Sequence, residues 1–499
     1  MKARVLTLAL SGLLALAIAP CAMAKGPLGL AKNVILFIGD GMNIEHEIAT
    51  SRYLYGMDFG LTFHQLPYQG NVATWDVNTY NNWSPDAYDP DAINPLYGYD
   101  PSRGGELPYP LGPELEDAQA YHTAAATDSA SAATAWATGY KTDAGNIAWL
   151  PGDPEDGALE TIAELLREEL GYAIGVVSTV PFTHATPAAH VSHNVYRNNY
   201  HEIADEILTK VKPEVVIGGG YPGPTGTDGF SYLSENTYNE VKDDDDYVMV
   251  ERQDGVDGGV SVLEAAQVAA AEGKKLFGLY GGPGGNFESP IPHDLPGTPL
   301  ITRATMENPL FKDAVLAALK VLGEDEDGLF LMAEQGDIDW ANHANDFSRM
   351  VGTTWDLNEA VQSVIDYVNR PGDDMDWDNT LLLVTSDHSN SYMRLVVGKE
   401  LGAGDLPLQE GSTYPDGEVT YGSGSHTNEL VRIYGDGAGD TGLLTRAEGV
   451  WYPGTTIIDN TQLYHVMTDA AGLPQASPLT LDLKRPRHCG PRREHKSDR

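Results

Sequence analysis

The chain has 499 residues, 41% of them hydrophobic, and a formal net charge of -41 from 72 acidic against 31 basic side chains. That length and composition can bury a large core, while the charge excludes nucleic acid and anionic lipid as natural partners. Beyond the N-terminus no stretch approaches about 20 uninterrupted apolar residues, so no membrane-spanning segment is expected.

At the start of the chain, Lys2 and Arg4 precede an apolar run from Val5 to Ile18 and then Ala22-Met23-Ala24. This pattern predicts a signal peptide over residues 1–24 and a periplasmic or secreted product. Cys21 leaves with that segment, so Cys489 is the one remaining cysteine and no disulfide within a chain is expected. A surface this acidic repels itself unless salt screens it, with a Debye length of about 3 Å at 1 M. A salt-tolerant or salt-requiring protein is therefore expected.

Apolar runs at Val34–Ile38, Ile174–Val177, Val215–Ile217, Leu276–Tyr280, Leu329–Ala333 and Leu381–Thr385 predict buried parallel strands. Helical spacing of Leu159, Ile162, Ala163 and Leu166, and later of Trp355, Val361, Val364, Ile365 and Val368, predicts helices between them. The order is α/β, a three-layer sandwich with a central, mostly parallel β-sheet flanked by helices. One catalytic domain is expected over residues 25–483. Irregular insertions near 75–120, 221–260, 281–300 and 390–425 are expected to form a crown or lid at the site mouth. The acidic runs Asp243–Asp246 and Glu324–Asp327 predict solvated loops, and the basic stretch 484–499 predicts a disordered tail.

In an open parallel sheet, ligands bind beyond the carboxyl ends of the strands. Polar chemistry gathers there four times: Asp40 after the first run, His184 and Thr186 after the second, Glu334 after Leu329–Ala333, and Asp387-His388 after Leu381–Thr385. Asp339 and His343 are four apart, so a helix starting near Asp337 puts both on one face, where a divalent ion can join them. His426, after Gly422-Ser423-Gly424-Ser425, adds a ligand of the kind zinc accepts. A calcium loop ending at Glu334 is rejected, because Gly323 stands where its leading Asp belongs and Leu329–Ala333 is too apolar. Thr127-Asp128-Ser129 leads into small, helix-compatible residues, where Asp128 or Ser129 can simply cap a helix. A Ser in that place also has free backbone N–H groups and a positive dipole end beside it, which suit a phosphate. Arg197 is either a plain surface charge or a planar fork gripping two phosphate oxygens.

Taken in order, Gly39-Asp40-Gly41-Met42, Thr127-Asp128-Ser129-Ala130, His184-Ala185-Thr186-Pro187-Ala188, Arg197, Glu334–His343, Asp387-His388 and His426 resemble the motifs of the alkaline phosphatase family. The resemblance implies a phosphomonoesterase with two Zn2+ and one Mg2+ per chain. It implies that Asp339, His343 and His426 hold one zinc, that Asp40, Asp387 and His388 hold the other, and that Asp40, Thr186 and Glu334 hold magnesium. It further implies Ser129 as the nucleophile toward small-molecule phosphate monoesters, a phosphoserine intermediate, Arg197 on the phosphate oxygens, and Asp128 orienting Arg197. An alkaline pH optimum and a homodimer follow from the same resemblance. His184 and Trp340 stand where the best-known bacterial pattern has Asp and Lys, which implies outer or substrate-binding roles and easier phosphate release. A phosphodiesterase or nucleotide pyrophosphatase of the same superfamily, and a noncatalytic phosphate-binding protein, are the alternative readings. Ser rather than Thr as nucleophile, and the implied magnesium ligands Thr186 and Glu334, favour the monoesterase.

Overall fold

The computed structural model describes residues 30–79, 126–372, 374–447 and 457–473. The expected signal peptide, most of the 75–120 insertion and the basic tail with Cys489 lie outside the described residues. In chain order the first strands are β1 Asn33–Gly39, β2 Tyr68–Ala73, β3 Ala173–Pro181, β4 Val215–Gly219, β5 Tyr247–Glu251 and β6 Lys275–Leu279. The short β7 Ile291–Pro292 and β8 Ile301–Thr302 pair with each other, ahead of β9 Leu329–Gln335 and β10 Thr380–Thr385. β11 Ser389–Asn390, β12 Met393–Leu395, β13 Val419–Tyr421 and β14 His426–Thr427 make two small ribbons before β15 Val431–Gly437 and β16 Ile457–Asp459.

Ten of these strands form one sheet in the order β16-β2-β15-β10-β1-β9-β3-β4-β6-β5. From β10 to β5 every pairing is parallel, and β15 alone runs against its neighbours. Successive side chains of a strand point to opposite faces, and both faces here are covered. Val34, Leu36 and Ile38 of β1 enter one apolar cluster with Phe330, Met332, Leu381 and Leu383, while Ile35 and Phe37 enter another with Leu331, Ala333, Leu382 and Val384. Burial on both sides is why these strands read as unbroken apolar runs, and it produces the three-layer α/β sandwich.

The helices follow the sequence cues with two adjustments. Phe347–Val368 carries the second predicted amphipathic pattern, but the first begins only at Ile162, so Leu159 lies before its helix. Thr161 caps that helix through a reciprocal capping box with Glu164. Residues 221–260 are less irregular than expected: they include the helix Glu235–Asp243 and β5, which extends the main sheet beside β6. Asp243–Asp246 and Glu324–Asp327 fall at mostly exposed turns, as their charge requires.

Candidate active site

Strands β10, β1, β9 and β3 are consecutive neighbours, so their carboxyl ends form one rim. In register, Ile38 lies beside both Thr385 and Glu334, and Glu334 lies beside Ser178. Asp40 therefore emerges between Asp387-His388 on one side and Glu334 on the other. The helix Asp337–His343 starts just after β9 and turns Asp339 and His343 to one side, with Nε2 of His343 3.2 Å from Asp339 Oδ2. The β11–β14 ribbon sets His426 opposite Asn390, and His426 Nε2 lies 3.5 Å from Asp339 Oδ1.

Ser129 opens the fully buried helix Ser129–Thr138, with Asp128 as its N-cap accepting from the Ser131 N–H. Small residues let this helix pack tightly against the helices Ala185–Val191 and Thr461–Ala470, which brings Ser129 to the rim. Ser129 Oγ is 3.2 Å from His388 Nε2. That nitrogen is also 3.2 Å from Asp387 Oδ2 and 3.5 Å from Asp40 Oδ1. Arg197 donates from Nη1 to Asp128 Oδ2 at 2.8 Å. Of the sequence-predicted residues, all eleven assigned to catalysis or metal binding thus converge on one rim.

The donor set fits divalent cations. Asp40 Oδ1, Thr186 Oγ1 and Asp387 Oδ2 are buried oxygens with no hydrogen bond, an arrangement that is costly unless a cation or water completes it. His343 Nδ1 lies 2.8 Å from Gly424 O, and His426 Nδ1 lies 2.8 Å from Thr127 O. Donation to those carbonyls leaves both Nε2 lone pairs, 3.1 Å apart, facing Asp339. Metal-binding histidines are oriented by such carbonyls. His388 is the exception, with Nδ1 buried and unpartnered. Ligand atoms of Asp339, His343 and His426 lie within 4.8 Å of one another, as do those of Asp40, Asp339 and His388, so Asp339 stands between two clusters. Asp387 joins the second cluster through its approach to His388.

The electrostatics repeat the point. Burial, with Asp387, Asp339 and Glu334 nearby, pushes the Asp40 carboxyl well above its usual range. Burial also pushes Glu334 up, against the hydrogen bond that Ser178 donates to it. Burial works the same way on Asp339, but the imidazoles of His426, His343 and His388 outweigh it and hold that carboxyl well below the usual range. The same arithmetic leaves Asp128 depressed to about 2, Arg197 overcoming burial. Such a crowd of carboxylates is neutralised either by protons or by cations.

A family model described as alkaline phosphatase matches residues 114–448. The chain belongs to the alkaline phosphatase family. It is 28% identical over 403 residues to alkaline phosphatase 3 of Bacillus subtilis (strain 168), covering 79% of this chain and 68% of that protein. Against the alkaline phosphatase of Escherichia coli (strain K12) it is 28% identical over 488 residues, covering 89% and 86%. The solved alkaline phosphatase from the Antarctic bacterium TAB5 superposes with a TM-score of 0.57 at 20% identity, covering 90% of this chain and all of that one, a likeness of fold.

Within this family member, His184 and Trp340 lie beside the rim, their rings stacked with centroids 6.1 Å apart. Burial and then Arg197 depress the His184 imidazole to about 3, so it is neutral at any working pH. Several contacts escaped sequence reasoning. Asn390 donates from Nδ2 to Asp339 Oδ1 at 2.6 Å, and the N–H groups of Gly41 and His388 both reach Asp387 Oδ1 at 2.9 Å. Asp128 Oδ1 is held by the Ser131 and Gly145 N–H groups, and Ser131 Oγ sits 2.8 Å from it and 3.2 Å from buried Asp76. None of these carries a local pattern; only Ser131, on the turn after the cap, was within reach of capping rules.

Proposed function

We propose that this chain hydrolyses phosphate monoesters to an alcohol and inorganic phosphate, with Ser129 as nucleophile and a phosphoserine intermediate. The observation that carries the proposal is Ser129 Oγ at a helix N-terminus, 3.2 Å from His388 Nε2, within a ring of carboxylates and imidazoles. When bound by Asp339, His343 and His426, by Asp40, Asp387 and His388, and by Asp40, Thr186 and Glu334, two Zn2+ and one Mg2+ would supply the positive charge that favours a serine alkoxide and stabilises the leaving oxygen.

The residues of the chain do the rest. Asp128 fixes the Arg197 fork, which grips two oxygens of the transferring group. The free N–H groups at the start of Ser129–Thr138 favour the same negative charge. Ser129 Oγ bonds to phosphorus as the ester P–O bond breaks and the alcohol departs. Water then cleaves the phosphoserine, releasing phosphate and restoring the Ser129 hydroxyl. His184, neutral and stacked between Tyr200 and Trp340, packs beside Thr186 without adding charge.

The reading extends to a single catalytic domain over residues 25–483, export to the periplasm or medium after removal of residues 1–24, a homodimer, an alkaline optimum and salt tolerance or a salt requirement. No described helix is long and apolar enough to cross a membrane. Turnover of a phosphate monoester and a diester by metal-loaded wild type and Ser129→Ala tests the function. Faster monoester hydrolysis that is lost in Ser129→Ala is expected. Preference for the diester, or stoichiometric metal with no hydrolysis of either, contradicts it.

A further inference from the structure

A cavity of about 600 Å³ adjoins the rim, walled by the loop after β6, by β7, and by the helix that carries Asp339. Phe287, Pro290, Ile291 and Trp340 make its apolar sides. Trp340 follows Asp339 directly and stacks on His184, two residues before Thr186, so this indole borders both the cavity and the catalytic rim. It is also 41% exposed, a large apolar ring left half in water one residue from a buried ligand carboxylate. Asn286, 8% exposed on the cavity wall, donates from Nδ2 to Asp337 and keeps its Oδ1 buried without a hydrogen bond.

Charge decides what class of group fits. Among the described residues the one cation on the wall is Arg349, whose Nη2 is 2.7 Å from Asp337 Oδ1. Glu288 is matched by Arg252 at 2.7 Å, and Asp346 caps the helix Phe347–Val368. With its cation already paired and carboxylates beside it, the cavity offers nothing to a second phosphate. Its size and apolar sides match those of pockets that take small organic molecules.

We propose that this cavity is the subsite for the organic group of the substrate, and that it selects phosphate esters of flat, largely apolar alcohols such as aromatic ones. The proposal rests on the phosphomonoesterase reading, with the phosphate at Ser129 and the ring lying along Trp340. Gly284 lines the cavity, and a Cβ placed on it meets nothing within 4 Å, so a side chain there enters open space without backbone strain. Ala304, exposed on another side of the cavity, is a second such position.

The test compares 2-naphthyl phosphate with glycerol phosphate in wild type, Gly284→Trp and Ala304→Trp. Comparing each variant with wild type cancels the intrinsic difference between the two leaving groups. The ratio of kcat/KM for naphthyl over glycerol ester is expected to fall about tenfold in both variants, the scale on which shape-matched apolar pockets discriminate. Calorimetric affinity for naphthylmethylphosphonate relative to methylphosphonate is expected to fall in parallel. An active wild type whose ratios and relative affinities are unmoved by both substitutions overturns the subsite alone. A wild type that hydrolyses neither ester overturns the hydrolase reading and the subsite together.

Discussion

A single methyl group at Gly41 tests how tightly the two ligand clusters are joined. Gly41 has φ +68°, and its N–H holds Asp387 while its α-carbon faces Asp339. A Cβ there would sit 2.7 Å from Asp339 Oδ1 and 2.9 Å from Asp339 Cα, against ordinary contact from 3.4 Å. Because the second contact is backbone, the helix start must move by about 0.5 Å, comparable to the tolerance of a working site. The left-handed conformation costs about 1–2 kcal/mol for a residue with a side chain, and overpacking about 1–3 kcal/mol more. A domain stable by roughly 5–15 kcal/mol survives that. Gly41→Ala is therefore expected to stay folded but to bind zinc about 10–100-fold more weakly, with kcat/KM falling by a similar factor. Metal titration by calorimetry beside steady-state kinetics reads both. A folded Gly41→Ala with wild-type zinc affinity and kcat/KM would refute the claimed packing.

Asp76→Ala is expected to raise the inhibition constant of inorganic phosphate about threefold to tenfold, because Asp76 supports Ser131 and so the Asp128–Arg197 pair. In an Arg197→Ala background the same change should have no further effect, and additive losses would disprove the route. His193 lies between Glu206, Glu164 and Leu159 O; against burial, the two carboxylates lift its pKa to about 10. A raised folded-state pKa stabilises fully below the unfolded value of about 6.5 and fades as pH rises through 10. The melting-temperature deficit of His193→Gln should thus be largest at pH 6 and shrink by pH 10; a constant deficit rules the argument out. Salt should raise both melting temperature and activity up to molar concentration, and a flat response between low and molar salt would remove the screening argument.

Legibility followed the physics of burial. β1, β3, β4, β6, β9 and β10 are covered on both faces, so their runs are continuous and announce themselves. β15 is interrupted by half-exposed Arg432 and Asp436 and β2 by Gly70 and Asn71, so neither shows such a run, while β5 has one, Tyr247–Val250, at the half-buried edge of the sheet and inside the stretch read as an insertion. The metal-ligand candidates were legible because strand ends deliver them, an organisation that topology imposes on sequence. Asp76 and Asn390 act across 55 and 51 positions of chain, and their partners are chosen by the fold rather than by any spacing rule, whereas Ser131, three after Asp128, lay within reach of capping rules. The cavity beside Trp340 was equally hidden, since its walls come from the loop after β6 and from helices that sequence shows only as separate segments.

The most direct measurement is to quench the metal-loaded protein in acid during turnover of a phosphate monoester and map the phosphate by mass spectrometry. Phosphate on the peptide containing Ser129, absent from Ser129→Ala and from metal-stripped protein, is the predicted result. Turnover with no phosphopeptide, or with the phosphate on another side chain, would contradict the account.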